Sequence, residues 1–173
     1  MKKIVILGPE STGKSTLCEQ LATHYAARWV PEFARSYLSD TGNQYGFEDL
    51  WEIAKGQLAS QESIAAEADP AAPLFIDTDL YVIKIWSEIS FNKCDNRILT
   101  HIAKTNYDLY LLCDTDLPWS EDPMREYPAL EMRQKIYAYY KDAMLNQSTP
   151  WVNISGNYNE RLEKAIKAVD SIL

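Results

Sequence analysis

Short apolar segments alternate with longer segments of helical periodicity along the chain. Five apolar segments predict strands, at residues 3–8, 28–32, 73–77, 108–114 and 151–155. The segments between them have the spacing of helices. Their predicted ranges are 14–27, 33–68 with a break at the turn-forming sequence DTGNQYG, 79–91, 95–104, 129–146 and 157–172. The pattern therefore alternates strand and helix almost from end to end.

This order of elements predicts an α/β fold. The strands are continuously apolar rather than alternating in polarity, which is typical of strands covered by helices on both faces. We expect a three-layer α/β/α domain over residues 1–173, with a parallel sheet of about five strands. Ligands of such sheets bind at the carboxyl ends of the strands. Four of the predicted strands end near Gly8, Glu32, Asp77 and Asp114.

The sequence GPESTGKS at residues 8–15 follows the first predicted strand and matches G-x-x-x-x-G-K-[S/T]. In this P-loop, glycines allow the backbone N–H groups to approach phosphates, and the following helix adds its positive dipole end. Lys14 is expected to reach the β- and γ-phosphates, and the Ser15 hydroxyl to bind Mg²⁺. The predicted nucleotide-binding residues are Gly8, Glu10, Ser11, Thr12, Gly13, Lys14, Ser15 and Thr16. Switch GTPases, ATPases and small-molecule kinases all share this loop.

Acidic residues follow two other predicted strands. Asp77, directly after an apolar strand, is the acid expected to help hold Mg²⁺, although Asp114 fits the same loose pattern. Asp79 lies on the same turn as Asp77, where a substrate hydroxyl would arrive. Asp77 and Asp79 could also simply cap the following helix.

Glu32 and Arg35 follow the second predicted strand. A carboxylate at this position can accept a proton from a substrate hydroxyl, and an arginine three residues later can hold a phosphate or a hydroxyl. The same spacing suits an acid at a helix start with a basic partner at i+3. Spacing alone leaves both interpretations open.

The polar sequence TDLPWSEDPMREYP, at residues 115–128, is predicted to be a lid, because loops of this length in compact domains are typically functional. Arg125 is the first candidate for an arginine that stabilises charge at the γ-phosphate, and Arg133 is the second. Trp119 could cover an aromatic ligand or pack on the domain surface.

Composition narrows the class of partner. The net charge is −8 and no cluster of lysine and arginine occurs, which argues against a nucleic-acid partner. The three cysteines and two histidines lack metal-binding spacing and predict free thiols in a reducing cytoplasm. The apolar run after the first three residues is too short for a signal peptide or a membrane span. We therefore expect a cytoplasmic protein with a small-molecule substrate and no membrane partner, and leave the oligomeric state open.

Four stretches together resemble the ribosylnicotinamide kinase domain of the NadR type: GPESTGKSTL, VPEFARSYL, FIDTD and DLYLLCDTDLPWSEDPMRE. The resemblance runs from residue 6 to about residue 126 and implies a P-loop kinase that phosphorylates the 5′-hydroxyl of nicotinamide riboside with ATP and Mg²⁺. It places Lys14 and Ser15 at the phosphates and the metal, VPEFAR and FIDTD at the substrate, and the Trp119–Arg125 loop in the lid. No adenylyltransferase-like or helix-turn-helix stretch is recognisable, so we expect a free-standing kinase domain.

The acceptor and the catalytic residues follow as predictions. A pyridinium cation favours aromatic faces and nearby carboxylates. The aromatic residues near the predicted pocket are Trp51, Tyr81, Trp86, Trp119 and Tyr127. The predicted catalytic residues are Lys14, Glu32, Asp79 and Arg125, and the predicted acceptor-binding residues are Glu32, Arg35, Asp79, Tyr81 and Trp119. Thiamine also has a cationic ring and a primary hydroxyl. Thiamine, and nucleosides other than nicotinamide riboside, therefore remain alternative acceptors.

A nucleotide switch or ATPase that acts on a protein partner is the alternative of another class. Asn92, Lys93 and Asp95 have the spacing of the guanine-reading N-K-x-D sequence. They lie between predicted helices rather than at a strand end, where the base would bind. We interpret them as residues of helix termini.

Overall fold

A five-stranded parallel sheet forms the centre of the computed structural model, which describes residues 1–173. The strands are β1 (Lys3–Leu7), β2 (Arg28–Val30), β3 (Leu74–Asp77), β4 (Leu109–Cys113) and β5 (Trp151–Ile154). Their order in the sheet is β2-β3-β1-β4-β5. The predicted α/β fold with about five parallel strands is confirmed.

Seven helices connect and cover these strands. They are α1 (Lys14–His24), α2 (Phe33–Asp40), α3 (Phe47–Glu67), α4 (Leu80–Phe91), α5 (Asn96–Lys104), α6 (Leu130–Leu145) and α7 (Tyr158–Asp170). Each corresponds to a helical segment of the sequence pattern, and the turn-forming sequence DTGNQYG separates α2 from α3. None of them is both long and apolar enough to cross a membrane.

Side chains of the inner strands alternate between two apolar cores. Ile4 and Ile6 of β1 face α1 and α7, where they pack with Leu21 and Val169. Val5 and Leu7 face the opposite side, in the core that includes Ile136 of α6. Because helices cover both faces, every residue of β3 and β4 is buried. This double burial explains why the strands read as continuous apolar runs.

The strand order reverses at β1, which pairs with β3 on one side and with β4 on the other. A crevice forms at the carboxyl ends of strands where such a reversal occurs. The loop that follows β1 is therefore placed at the crevice, between the ends of β3 and β4. This is the position that the sequence predicts for the nucleotide site.

The N-K-x-D spacing falls at two helix ends, as predicted. Asn92 ends α4 in the left-handed conformation (φ 53°), and its N–H donates to the Glu88 carbonyl at 3.0 Å. Asp95 caps α5, since its carboxylate accepts a hydrogen bond from the Arg97 N–H at 2.7 Å. Both residues have local roles in the turn between these helices.

Candidate active site

The P-loop, residues 8–15, turns tightly between β1 and α1. Gly8 has φ 139° and Gly13 has φ 75°, conformations that side chains disfavour. The loop is held by its own contacts: the Thr12 hydroxyl donates to the Pro9 carbonyl at 2.7 Å, and Lys14 Nζ donates to the same oxygen at 2.8 Å. These hydrogen bonds stabilise the turn of the loop, and the Lys14 ammonium contacts the loop's own backbone.

Asp77 faces the start of α1 from the end of β3. The Ser15 hydroxyl donates to Asp77 Oδ2, and the buried Oδ1 has no hydrogen-bond partner. Burial raises the pKa of Asp77 from 3.8 to about 6; the nearby Glu32 charge adds to this rise, and Lys14 opposes it. A hydroxyl beside a buried carboxylate oxygen without a partner is a ligand set that suits a hard cation. The residues present therefore fit Mg²⁺.

A cavity of about 220 Å³ lies in front of the P-loop. Its charged part, near the phosphate-binding loop, includes Glu32, Arg35 and Arg125. Its other walls come from α2, α4, α6, the α2–α3 turn and the segment after β4. The aromatic residues among them are Tyr45, Trp86, Tyr127 and Tyr140. The cavity thus combines a phosphate-binding loop with aromatic side chains in one site, as small-molecule pockets commonly combine polar and aromatic groups.

Glu32 and Arg35 form the i,i+3 pair that their spacing allows at the start of α2. Glu32 is the residue immediately before α2, and Arg35 Nε lies 3.2 Å from its carboxylate as an i,i+3 pair. Both side chains also line the cavity. Arg35 Nη1 donates at 2.9 Å to Asp122, so Arg35 holds Glu32 in place and also contacts the segment after β4.

The predicted lid, residues 115–128, contacts the P-loop directly. The Glu10 carboxylate accepts hydrogen bonds from the backbone N–H groups of Glu126, at 2.9 Å, and Tyr127. Ser11 Oγ accepts a hydrogen bond from the Ser120 N–H at 3.0 Å. The side chains of Glu10 and Ser11, predicted to bind the nucleotide, therefore connect the P-loop to this segment.

Arg125 and Arg133 both lie against the ring of Trp119. Their guanidinium carbons are 5.7 and 5.5 Å from the centre of the ring. Nε of Arg125, and Nε and Nη1 of Arg133, are buried without hydrogen-bond partners. From the sequence, Trp119 could cover a ligand or pack on the domain surface; in the structure it does not line the cavity, and its ring lies against the two arginines. Nε of Arg125 lies 3.9 Å from the Asp122 carboxylate, and Arg125 lines the cavity whereas Arg133 does not.

Asp79 and Tyr81, predicted to bind the acceptor, do not line the cavity. Asp79 caps α4: its carboxylate accepts hydrogen bonds from the Tyr81 N–H at 3.0 Å and the Tyr110 hydroxyl at 3.1 Å. Burial raises the pKa of Asp79 from 3.8 to about 7. The Tyr81 ring packs edge-on against Tyr110. Thr78, between the two acids, has φ 70°, and this turn of the backbone directs Asp79 and Asp77 to different hydrogen-bond partners.

The aromatic predictions divide in the same way. Trp86 and Tyr127 line the cavity, whereas Trp51 packs under the Arg97 guanidinium at 4.9 Å. Tyr45 and Tyr140 line the cavity without having been predicted. The helical spacing of four between Ile136 and Tyr140 is a signal for a shared face of α6, but Tyr45 lies in a turn with no periodicity.

A family model described as an AAA domain matches residues 3–161. The chain belongs to this AAA domain family. Two curated relatives, from Salmonella typhimurium (strain LT2) and Escherichia coli (strain K12), are each named trifunctional NAD biosynthesis/regulator protein NadR. Each is 23% identical over 178 residues, which cover 100% of this chain and 43% of the relative. The chain therefore spans less than half the length of the curated relatives it matches.

Solved structures give the same picture of the fold. NadR in complex with NR has a TM-score of 0.80 at 23% identity, and NadR in complex with NAD and AMP-PNP has 0.76 at 22%. Each alignment covers 99% of this chain and 49% of the NadR chain. Thymidylate kinase from Candida albicans has a TM-score of 0.69 at 12% identity, covering 98% of this chain and 91% of that one. The P-loop kinase fold and the resemblance to NadR are confirmed.

Proposed function

We propose that this protein is an ATP-dependent kinase that phosphorylates the 5′-hydroxyl of nicotinamide riboside to give nicotinamide mononucleotide. The observation that carries the proposal is the cavity, in which the P-loop, the Glu32 carboxylate and an aromatic pocket meet. The NadR relatives support this choice by their name and by the structures solved with NR and with AMP-PNP.

The P-loop holds the phosphates of ATP in this proposal. Backbone N–H groups of residues 8–15 surround the β- and γ-phosphates, and Lys14 moves from the Pro9 carbonyl to these oxygens. Ser15 and Asp77 hold Mg²⁺, because a hydroxyl and an unpaired buried carboxylate oxygen lie together there. When bound, the ion supplies positive charge to the β- and γ-phosphate oxygens.

Glu32 orients the acceptor and takes its proton. Its carboxylate lies at the cavity, close enough to Asp77 for the two charges to interact, and so near the metal end of the site. As the 5′-oxygen bonds to the γ-phosphorus, its proton passes to the Glu32 carboxylate, and ADP leaves with the β–γ bridging oxygen. Arg35 keeps the carboxylate in position through the 3.2 Å ion pair.

The aromatic wall selects the ring of the acceptor. Trp86, Tyr127 and Tyr45 line the cavity, and the Tyr45 hydroxyl donates to Glu126 at 2.9 Å. Aromatic faces beside a carboxylate attract a cationic pyridinium ring. This part of the cavity therefore favours nicotinamide riboside over an uncharged nucleoside.

Residues 115–128 act as the lid. Arg125 lines the cavity from this segment and has a buried Nε without a hydrogen-bond partner, so it can donate to the oxygens of the transferred phosphoryl group. Closure of the segment over the P-loop excludes water and limits hydrolysis of ATP.

The test is ADP release from Mg-ATP with nicotinamide riboside, thiamine, common nucleosides or no acceptor. Strong stimulation by nicotinamide riboside alone is expected, and Glu32→Gln should remove it. Glu52→Gln is the matched control, because Glu52 pairs with Lys55 on the surface of α3 outside the cavity. Stimulation by another acceptor would reject the proposed substrate, and turnover unaffected by any acceptor would favour an ATPase or a switch.

A further inference from the structure

Arg161 of α7 joins three separate loops at the carboxyl edge of the sheet. Only 2% of the residue is exposed. Its Nη1 donates to the Thr12 carbonyl at 2.9 Å, Nη2 to the Asp114 carbonyl at 3.0 Å, and Nε to the Gly156 carbonyl at 2.7 Å. These carbonyls belong to the P-loop, the end of β4 and the loop after β5.

Asp116 completes the contacts of this guanidinium. Its carboxylate pairs with Arg161 Nη2, and its Oδ2 accepts a hydrogen bond from the Gly156 N–H at 2.6 Å. A buried charge is tolerated when an opposite charge and hydrogen bonds satisfy it. The planar fork of an arginine can donate in several directions at once, whereas the ammonium of a lysine cannot match this geometry. The contacts therefore require arginine at position 161.

The contact with Thr12 orients a peptide group in the middle of the P-loop. In a planar trans peptide, the carbonyl of one residue and the N–H of the next point in opposite directions. Because Arg161 holds the Thr12 carbonyl towards α7, the Gly13 N–H is directed to the opposite side. Gly13 has φ 75° and ψ 21°, a conformation from which a glycine peptide can rotate at little cost. Arg161 removes that freedom.

We propose that Arg161 is a positioning residue of the nucleotide site. It does not touch ATP; it holds the Thr12–Gly13 peptide so that the Gly13 N–H faces the phosphates. Through Asp114, Asp116 and Gly156 it also holds the adjacent loops against the P-loop. This inference rests on the proposed function, in which residues 8–15 bind the phosphates of ATP.

The test compares Arg161→Lys with Lys164→Gln by direct titration of Mg-ATP and Mg-ADP without an acceptor. Lys164 is the matched control, because its Nζ donates to the Ser155 carbonyl at 2.8 Å in the same loop after β5 but makes no contact with the P-loop. R161K keeps the charge and loses the fork. It should raise both dissociation constants by about tenfold or more, as expected for the loss of a charge-assisted hydrogen bond. K164Q should stay within about twofold, less than the loss of one hydrogen bond.

Two readouts separate positioning from general stability. In R161K the KM for ATP should rise while the KM for the acceptor stays unchanged; a merely structural role would raise both KM values together and would overturn the proposal. Equal Mg-ATP affinity of R161K and wild type would overturn it as well. If R161K does not fold, Asp116→Asn replaces it: loss of the charged partner of Arg161 should weaken the hold of the guanidinium on the Thr12 carbonyl and raise the dissociation constant of Mg-ATP, and an unchanged Mg-ATP affinity would overturn the proposal. Failure of the wild type to bind Mg-ATP would instead refute the proposed function.

Discussion

Replacement of Gly8 by alanine tests how closely the P-loop must approach β4. Gly8 has φ 139°, a region that residues with side chains avoid. A Cβ at this position would lie 2.6 Å from the carbonyl oxygen of Cys113 and 3.3 Å from its nitrogen. Because β4 is hydrogen-bonded to β1 on one side and to β5 on the other, these atoms cannot move without disturbing the sheet.

The strained backbone conformation at Gly8 and the close contact with Cys113 each contribute to the loss of stability. A strained backbone conformation costs about 1–3 kcal/mol, and a forced overlap in a packed interior costs about 1–3 kcal/mol. Gly8→Ala should therefore lower the free energy of unfolding by about 2–6 kcal/mol, a large share of the stability of an ordinary domain. It should also weaken Mg-ATP binding, because the first residue of the P-loop shifts.

Gly42→Ala is the matched control for the backbone effect. Gly42 also has a positive φ, 66°, but a Cβ there would meet no atom within 4 Å. Its replacement by alanine should lower the free energy of unfolding by about 1–2 kcal/mol, because a residue with a side chain is strained in the left-handed conformation. Mg-ATP affinity should stay unchanged. The assay is urea unfolding followed by tryptophan fluorescence, together with a nucleotide titration. Equal losses of stability in G8A and G42A would refute the argument from close approach.

Three further variants test individual roles. Lys14→Ala should abolish ADP release with nicotinamide riboside, because it removes the ammonium proposed to reach the phosphates; a folded variant that still turns over would contradict this role. Glu32→Gln should lower the acceptor-dependent rate by about 10²- to 10⁴-fold and leave the Mg-ATP affinity unchanged. An equal loss of rate and of Mg-ATP affinity would contradict the assignment of Glu32 to the acceptor. Because burial raises the pKa of Asp79 to about 7, folding favours its protonated form, and this stabilisation is present below pH 3.8 and lost as the pH rises through 7. Asp79→Asn should flatten this decline in metal-free urea unfolding, and an unchanged slope would show that Asp79 is not the group responsible.

Local features of the chain predict the scaffold and the phosphate loop well. Burial on both faces makes each inner strand continuously apolar, so β1, β3 and β4 could be recognised without knowledge of their neighbours. The P-loop depends on glycines at defined spacing and on the helix that follows, which are also local properties. The same reasoning correctly placed the N-K-x-D residues at helix ends.

The composition of the acceptor site depended on contacts between distant segments. Asp77 and Asp79 are two residues apart, yet the turn at Thr78 points their side chains to different partners. Asp77 accepts a hydrogen bond from Ser15, and Asp79 accepts one from the buried Tyr110 hydroxyl. The sequence alone does not distinguish the two acids, because the backbone conformation at Thr78 decides which of them faces Ser15 of the P-loop.

Long-range pairing accounts for the remaining differences. Arg161 donates a hydrogen bond to the Thr12 carbonyl, 149 residues away in the chain. The Trp119 ring contacts two arginines, one of which, Arg133, lies in α6. Periodicity records which face of an element is buried, but it carries no information on which polar groups meet at the edge of a sheet. The chain pattern alone thus specifies the elements and the nucleotide loop. Packing of the layers assigns each charged side chain its partner, because a buried polar group must be satisfied by whatever element folding brings beside it.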